Sequence, residues 1–579
     1  MARSHLPILS RYLRPHYRPL AWGTIALFGA NALGTYLPWL LRQAVEALRA
    51  NFSATQASRY ALQILVLATV MWGIRIASRL WLFGIGRAVE ADLKQELFEH
   101  LLRLPPSYFA VRSAGDLIGV STSDVENIRR MLGFALLSLI NTVFAYALTL
   151  PTMLAIDPWL SLVAIAPYPL MLWITKSFSG RLQEEQATVQ ERLSDLNTLL
   201  QEDISGIVPI KTYAQEAHEW EAFGEVNRQL LAANLALART RNLLFPILGG
   251  IASFSLLALL WFGGEKLADA TSGFQVGDLL ALIVLVERLI FPTALLGFTI
   301  TVYQRGQVSI DRIEAVLAEP PAIDDRPTQV PAAPGPGHLT IRDLVFTYPG
   351  AKQPTLRGIH LHIPAGETLA IVGPVGAGKS TLAQALTRLI AVPPNTIFLD
   401  GTDITELPVA YLRSRIAYVP QDSFLFSTTI RDNLRYGQPA APDSAVEGAA
   451  AQARIQGDIL AFPKKYDTIV GERGITLSGG QRQRTALGRA LLVNAPILLL
   501  DDALASVDNQ TAMEILAELP RQKTVIFITH KLAAAATADR IAVMDQGQIV
   551  AIDTHDRLLQ TSPLYQKLWQ QYELQELTA

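Results

Sequence analysis

The chain contains no cysteine among its 579 residues. This absence excludes disulfide bonds, thiolate metal sites and cysteine nucleophiles. Charged side chains are also scarce, at 17% of residues against the usual quarter. The net charge of −2 gives no basic excess of the kind that would favour nucleic acid as a partner. We expect no cleavable signal peptide, because residues 1–18 carry four arginines without an apolar core and a cleavage site.

Apolar residues are abundant instead, at 50% of the chain, and they form long runs in its first half. A helix needs about 20 apolar residues to cross a bilayer. We therefore predict a membrane domain over residues 1–318, with two long polar helical segments at 86–128 and 180–240 that continue the spans into the cytoplasm. Six spans are predicted, at about 19–41, 60–85, 130–155, 159–178, 242–264 and 278–303.

Glu287 and Arg288 fall near the middle of the sixth predicted span. Ionisable groups inside a membrane are costly unless they face a watery cavity or a partner. Two interpretations stay open at this point. The two residues line the path of a transported substrate, or they form a structural pair between helices.

Residues 319–337 contain six prolines and two glycines, the composition of a linker. From 338 to 579 the sequence has the composition of a soluble α/β domain. Apolar runs alternate there with helical patterns, as in a mainly parallel sheet. The predicted strands lie at 339–346, 367–372, 396–399, 416–419, 497–500, 524–529 and 541–544.

The segment Gly373–Ser380 fits the phosphate-binding pattern G-x-x-x-x-G-K-[ST], between a predicted strand and a predicted helix. Its glycines allow backbone N–H groups to turn towards phosphates, and the helix N-terminus adds partial positive charge. Lys379 would reach the β- and γ-phosphates of ATP, and the Ser380 hydroxyl would bind Mg²⁺. The alternative is a turn that binds nothing, which the agreement of motif and flanks disfavours. The predicted nucleotide-binding residues here are Gly373, Gly376, Ala377, Gly378, Lys379, Ser380 and Thr381.

Two further motifs follow in the same domain. The apolar strand 497–500 ends in Asp501, a carboxylate that can hold Mg²⁺ in a nucleotide site. The sequence Leu477-Ser478-Gly479-Gly480-Gln481 precedes a predicted helix and makes a second candidate anion site.

These motifs, in this order, resemble those of ATP-binding cassette (ABC) transporters, and the resemblance covers nearly the whole chain. It implies a six-span helical membrane domain followed by an α/β P-loop nucleotide-binding domain with a helical subdomain. It also implies roles for single residues. Tyr348 would stack on adenine, Gln421 would sense Mg²⁺ and the attacking water, and His530 would contact the γ-phosphate. Ser506 and Asp508 would belong to a loop at the dimer interface. The motif that acts on ATP held by the opposite subunit would consist of Leu477, Ser478, Gly479, Gly480 and Gln481.

The domain order is that of an exporter half-transporter, which implies a dimer in the cell (inner) membrane with the cassettes in the cytoplasm. The chain is similar to heterodimeric multidrug exporters of the Tmr type, which are related to the antigen-peptide transporter. That resemblance implies a transporter that works in the lipid bilayer and whose cargo is hydrophobic drugs, lipids or peptides.

One position departs from the family pattern. Asp502 follows Asp501 where the family has the glutamate that polarises the attacking water. Aspartate is shorter by about 1.5 Å, and a displacement of about 1 Å can cost a hundredfold in rate. We expect a slow site on this chain and a second, non-identical half-transporter that supplies the glutamate. The alternatives are a competent Asp502 in a homodimeric lipid flippase, or an ATP-gated channel or regulator on the same scaffold.

Overall fold

The computed structural model describes residues 6–50, 52–269, 271–323, 325, 335–520 and 522–578. Most of the predicted linker, namely residues 324 and 326–334, lies outside the described residues. The chain divides into two compact units. The first contains Met1–Leu102 and Ser113–Glu319, and the second contains Arg103–Arg112 and Pro320–Ala579. The short segment Arg103–Arg112 thus groups with the second unit, although it lies inside the predicted membrane domain.

The described residues of the first unit form helices joined by short turns and loops, with no strand among them. It contains six helices long and apolar enough to cross a membrane, which confirms the predicted six-span fold. The helices are α1 (Leu6–Leu13), α2 (Tyr17–Ala50), α3 (Ala54–Leu101), α5 (Ala114–Gly119), α6 (Val125–Arg130), α7 (Leu136–Ile156), α8 (Pro158–Ile165), α9 (Tyr168–Ser205), α10 (Ile207–Thr212), α11 (Glu216–Ala268) and α12 (Val276–Leu317), while α4 (Pro106–Val111) belongs to the second unit.

The helices of several spans extend into the polar segments 86–128 and 180–240. Helix α3 runs for 48 residues and α11 for 53. At 1.5 Å per residue, α3 is about 72 Å long, more than twice the roughly 30 Å of a hydrocarbon core. Two π-helical turns, Val120–Asp124 and Met131–Ala135, flank α6 and keep the third span helical from Ala114 to Ile156.

Polar contacts join the helices of the first unit at both ends. Asp124 is buried and accepts a hydrogen bond from the Ser309 hydroxyl at 2.8 Å. At the other end, Arg42 of α2 lies 2.7 Å from the Asp278 carboxylate at the start of α12. Lys266 of α11 pairs with Asp157, whose side chain also caps α8.

The second unit contains two sheets. One is antiparallel, in the order β2-β1-β4-β5, and the other has six strands, in the order β10-β9-β3-β8-β7-β6. Strands β9, β3, β8, β7 and β6 run parallel, which confirms the expected mainly parallel sheet. The strands are β1 (Leu339–Phe346), β2 (Leu356–Ile363), β3 (Thr368–Val372), β4 (Ile397–Leu399), β5 (Thr402–Asp403), β6 (Ile416–Val419), β7 (Ile497–Asp501), β8 (Thr524–Ile528), β9 (Arg540–Asp545) and β10 (Gln548–Asp553).

Helices cover both faces of the parallel sheet. Successive side chains of β3 enter different cores: Ala370 and Val372 belong to one hydrophobic cluster, and Leu369 and Ile371 to the other. A strand buried on both faces reads as a continuous apolar run, as β3 does. The helices are α13 (Lys379–Leu386), α14 (Val409–Arg415), α15 (Ile430–Arg435), α16 (Asp443–Gln452), α17 (Gln456–Ala461), α18 (Gly479–Leu492), α19 (Asn509–Glu518), α20 (Leu532–Ala535), α21 (His555–Thr561) and α22 (Pro563–Thr578).

The C-terminal helix α22 packs on its own cassette. Tyr565 is 0% exposed and belongs to the hydrophobic core of the second unit. Its hydroxyl lies 2.8 Å from Nδ1 of His555, and the Trp569 ring centroid lies 4.5 Å from that of His555. Leu564, Leu568, Trp569 and Tyr572 of the same helix also pack against this core.

Candidate functional site

The predicted nucleotide residues follow the carboxyl ends of parallel strands. Strand β3 leads into Gly373, β6 into Gln421, β7 ends at Asp501, and β8 is followed by His530. Carboxyl ends of parallel strands meet at one edge of a sheet, and ligands of open α/β sheets bind outside that edge. The sheet order therefore brings these four positions to a common edge.

The predicted phosphate-binding loop, Gly373–Ser380, has a backbone conformation that its glycines make possible. Gly373 has φ +153°, and a Cβ there would overlap the carbonyl oxygen of Met544. Gly378 has φ +94°, and its Cβ would come within 3.1 Å of the Thr355 carbonyl oxygen. Gly376 has φ +84° but faces open space. Steric crowding therefore favours glycine at positions 373 and 378, whereas at position 376 only the backbone conformation favours it.

Lys379 begins α13 and is buried. Its ammonium donates to the carbonyl oxygens of Gly373 and Pro374 at 2.8 and 2.9 Å. Burial lowers the pKa of Lys379, while the nearby charges of Asp501 and Asp502 act in the opposite direction. The loop thus holds a lysine whose hydrogen bonds all go to carbonyls of the loop itself.

Asp501 is 2% exposed and accepts hydrogen bonds through both carboxylate oxygens. The Ser380 hydroxyl donates to Oδ1 at 3.0 Å, and the Tyr418 hydroxyl donates to Oδ2 at 3.3 Å. Burial raises the pKa of Asp501, and burial together with the Asp501 charge raises the pKa of Tyr418 above its usual range. Sequence reasoning missed Tyr418, whose only signal was its place in the predicted strand 416–419.

Ser380 and Asp501 fit the requirements of a Mg²⁺ site. Both offer hard oxygen donors, and Mg²⁺ is bound by one or two carboxylates together with phosphates and water. Among the described residues, no group of three or more His, Asp or Glu side chains is placed to hold a metal ion by itself.

Tyr348 follows strand β1 and is partly buried. Its ring packs edge-on against Phe346 at 4.9 Å between centroids. Its hydroxyl lies 3.2 Å from Thr381 Oγ1 and 3.3 Å from Gln384 Oε1, both on α13. The tyrosine therefore borders the helix that the phosphate loop opens, and adenine stacking stays a prediction.

Asp502 has a left-handed backbone, with φ +49°. Its N–H donates to the carbonyl oxygen of Ile528 at 3.0 Å, which fixes the residue against the end of β8. The side chains of Gln421 and His530 are exposed at the same edge. Their roles towards a bound nucleotide stay predictions.

The Leu477–Gln481 motif forms the start of α18. The Ser478 hydroxyl accepts from Gln481 N at 3.2 Å, and Gln481 Oε1 accepts from Ser478 N at 3.0 Å. This reciprocal capping box leaves the positive end of the helix dipole at the motif. Leu477 is buried and Ser478 is exposed, while Gly479 and Gly480 are half-buried.

The loop after Asp502 packs against this motif. Ser506 N donates to Oε1 of Gln483 at 2.7 Å, and a Cβ at Gly480 would lie 2.9 Å from the Ser506 carbonyl oxygen. Asp508 caps α19 by accepting from Thr511 N at 2.8 Å. The structure thus joins the predicted interface loop to the Leu477–Gln481 motif, and it adds Gln483, which the sequence did not indicate.

Within the described part of the chain, no hydrogen bond connects Leu477–Gln481 to Gly373–Ser380. Gln481 instead donates to Asp458 at 2.9 Å. The two candidate anion sites of one cassette, Gly373–Ser380 and Leu477–Gln481, are therefore not linked by hydrogen bonds among the described residues.

Glu287 and Arg288 do not pair with one another among the described ion pairs. Arg288 Nη2 donates to the carbonyl oxygen of Asn31 at 2.7 Å and to its Oδ1 at 3.1 Å. Both residues line a cavity of about 690 Å³ in the membrane unit. The neighbour of Arg288 is thus a neutral amide, and its place on a substrate path stays a prediction.

Two family models match the chain. The model described as the ABC transporter transmembrane region matches residues 20–293, and the model described as ABC transporter matches residues 356–505. The matched ranges contain the six-span unit up to Thr293 and the nucleotide motifs up to Ala505.

Several named proteins are similar along their full length. The "Probable multidrug resistance ABC transporter ATP-binding/permease protein YheI" of Bacillus subtilis is 30% identical, over 99% of this chain and 98% of the relative. The ATP-dependent lipid A-core flippase of Syntrophus aciditrophicus is 31% identical, over 97% and 93%. The multidrug resistance-like ATP-binding protein MdlA of Escherichia coli is 31% identical, over 98% and 96%.

A solved structure described as a bacterial Atm1-family ABC exporter with ATP bound superposes with a TM-score of 0.77. The sequence identity is 26%, and the match covers 96% of this chain and 98% of that structure.

Proposed function

Because the chain belongs to the ABC transporter family and is an ATP-hydrolysing, multi-pass membrane transporter, we propose that it exports hydrophobic or amphipathic compounds such as drugs, lipids or peptides. The observation that carries this proposal is the pairing, in one chain, of six helices long and apolar enough to cross a membrane with predicted nucleotide-binding residues at one edge of a parallel sheet. The membrane is the cell (inner) membrane, and the cassette lies in the cytoplasm, where ATP is available.

The residues at the sheet edge support ATP binding. Backbone N–H groups of Gly376–Ser380 would surround the phosphates, and Lys379 would exchange its loop carbonyls for phosphate oxygens. Ser380 and Asp501 would hold Mg²⁺, which when bound supplies neutralisation of phosphate charge. Tyr348 would contact adenine, while Gln421 and His530 would border the γ-phosphate.

The Leu477–Gln481 motif supports a dimer. Its capped helix start is exposed at Ser478 and shares no hydrogen bond with the chain's own phosphate loop within the described residues. A partner cassette could therefore place its nucleotide there. Two nucleotides held between two cassettes would favour the closed arrangement only by their higher affinity for it. This closure would switch the membrane domain from inward-facing to outward-facing.

Asp502 supports a non-identical partner. The residue is one methylene shorter than glutamate, and its backbone is held by Ile528 in a left-handed conformation. The carboxylate therefore reaches less far towards an attacking water. We infer that the site on this chain is slow, and that a second half-transporter supplies the glutamate for the site that Ser478 completes.

A homodimeric lipid flippase is the second candidate. The observation in its favour is the 31% identity to a lipid A-core flippase over 97% of the chain. In that case Asp502 would act as the base in both sites. An ATP-gated channel or regulator on the same scaffold would instead dissipate a solute gradient when ATP is added.

Two measurements separate these functions. The chain, tagged and extracted from native membranes, is analysed by intact mass. A second half-transporter with glutamate at the corresponding position, in a one-to-one ratio, is the expected result, and an active complex of this chain alone would refute the non-identical partner. Inside-out vesicles should then accumulate, only with ATP, at least one probe from a panel of neutral and anionic fluorescent amphiphiles, and a failure with every probe would refute export.

A further inference from the structure

The membrane unit contains a large cavity with both apolar and charged walls. It has a volume of about 690 Å³ and is lined by α2, α3, the π-helical turn Met131–Ala135, α7 and α12. A second cavity of about 710 Å³ shares Arg79, Phe83 and Phe134 with the first. Arg79 therefore contributes to the walls of both.

The arginines that line only the second cavity have carboxylate partners. Arg87 lies 3.2 Å from Glu90. Arg129 and Arg130 lie 2.8 and 2.7 Å from Glu126. Each of these arginines thus has a carboxylate as an ion-pair partner, although Glu90 and Glu126 are shared among them and with Lys94.

Arg75 and Arg79 differ from these arginines. They lie one helical turn apart on α3 and are exposed towards the cavity. In the described part of the chain neither forms an ion pair, and the guanidinium of Arg75 only approaches the sulfur of Met71 at 3.9 Å. The free energy cost of placing an arginine within a membrane span is high unless its guanidinium faces a water-filled cavity or binds a ligand.

Arg288 adds a third positive charge to the same wall, and its hydrogen-bond partner is neutral. Asn31, which is 6% exposed, holds its Nη2 and donates in turn to Asn141 Oδ1 at 3.1 Å. A Cβ at Gly34 would overlap the guanidinium, so this glycine makes room for it. Arg75 lies close enough for its charge to repel that of Arg288.

The charge balance of the cavity is therefore positive. Arg75, Arg79 and Arg288 face a single carboxylate, Glu287, among the lining residues. The remaining wall is largely apolar and includes three phenylalanines, at 83, 134 and 291. A cluster of uncompensated guanidinium groups beside aromatic rings suits a ligand with an anionic head and an apolar tail.

We propose that this cavity binds anionic amphiphiles, whose phosphate or carboxylate head contacts Arg75, Arg79 and Arg288 and whose apolar tail lies against the phenylalanines. This inference rests on the proposed export function and names the class of its substrate. The same head-group chemistry occurs in membrane phospholipids and in soluble single-chain compounds.

The test uses the native complex in nanodiscs of phosphatidylcholine. Fluorescent phosphatidic acid and fluorescent phosphatidylcholine with identical acyl chains are titrated, and their affinities are compared. We expect tighter binding of phosphatidic acid. Arg79→Gln should reduce this preference about tenfold, the effect of one lost charged hydrogen bond, and Arg79→Lys should retain most of it.

Arg59→Gln is the matched control, since Arg59 is an exposed arginine of the same helix that lines neither cavity. It should leave the preference unchanged. Equal affinity for the two lipids in the unaltered complex, or an unchanged preference in both Arg75→Gln and Arg79→Gln, would overturn the proposal.

Competition identifies the source of the ligand. Displacement of phosphatidic acid by dodecyl phosphate would point to soluble amphiphiles, and resistance to it would point to two-chain lipids; both outcomes support the proposal. Displacement by inorganic phosphate at the same concentration would refute a role for the tail. ATP-driven uptake of a neutral dye without an anionic preference would overturn this inference alone, whereas anion binding without any ATP-driven uptake would refute the export function.

Discussion

Replacement of Asp502 tests the asymmetry of the proposed transporter. Its backbone is left-handed at φ +49°. Aspartate and asparagine tolerate this conformation better than other residues with a Cβ, whereas alanine there adds about 1–2 kcal/mol of strain. Asp502→Asn therefore removes the charge at nearly constant shape and backbone preference. It is a cleaner variant than Asp502→Ala.

The expected magnitude follows from the reach of the side chain. Aspartate falls short of glutamate by about 1.5 Å, and about 1 Å of displacement can lower a rate about a hundredfold. The site on this chain then contributes about 1% of the turnover of the complex. Asp502→Asn should leave ATP hydrolysis within the error of the assay. Asp502→Glu should raise it towards about twofold, because a second competent site appears.

The reciprocal variant is Ser478→Ala, in the motif that we propose completes the partner's site. Loss of one hydroxyl donor near a developing phosphate charge should lower turnover about a hundredfold. The variant also loses the cap on Gln481 N, worth about 1 kcal/mol, so thermal unfolding of each complex is measured alongside. Phosphate release by the complex from native membranes is the assay, at saturating ATP.

A collapse of turnover in Asp502→Asn would refute this reasoning, provided that the complex still binds a nonhydrolysable ATP analogue. Asp502 would then be the base of a working site, and the homodimeric flippase would become the better description. Unchanged turnover in Ser478→Ala would refute the assignment of that motif to the partner's nucleotide.

Three further outcomes are expected from thermal unfolding. Gly373→Ala should destabilise the cassette by at least about 2 kcal/mol more than Gly376→Ala. Both glycines have positive φ, but only a Cβ at 373 would meet a backbone oxygen. Equal losses of stability would contradict the crowding argument. Tyr565→Phe should cost about 1 kcal/mol and Tyr565→Ala about 3–5, and a negligible loss in the alanine variant would show that the last helix is not packed. Burial alone would raise the pKa of Asp157, but its hydrogen bonds, including that from Lys266, hold this pKa below its usual value. The ion pair therefore contributes its full share to the stability of the folded state above about pH 4, and this share decreases as the pH falls. The stability difference between the unaltered chain and Asp157→Asn, which keeps the cap, should therefore shrink between pH 7 and pH 3, and a constant difference would contradict the pairing.

The sequence alone predicted the strands whose apolar residues form an uninterrupted run. Strands β3 and β7 are buried on both faces, so they read as continuous apolar runs, and their ends locate Gly373 and Asp501. Strand β2 was missed because it lies in an antiparallel sheet with one wetter face. Its apolar residues alternate at Ile359, Leu361 and Ile363, and a search for alternation would have found it.

Contacts between distant parts of the chain left no local signal. Tyr418 and Asp501 are 83 residues apart, and Asn31 and Arg288 are 257 apart. A pattern read along the chain cannot reveal which polar groups meet across a sheet or between two helices. The sequence therefore located Arg288 but offered Glu287 as its partner, where the structure has an amide.

The second unit includes Arg103–Arg112, a stretch of ten residues made long before the rest of that unit. Roughly 200 residues separate it from Pro320, which corresponds to about 10–40 s of translation at ordinary rates. During that interval the ribosome has produced a segment whose packing partners do not yet exist. Completion of the second unit therefore waits for the end of synthesis, and a prematurely terminated chain would expose this segment to the proteases and chaperones that remove unfinished membrane proteins.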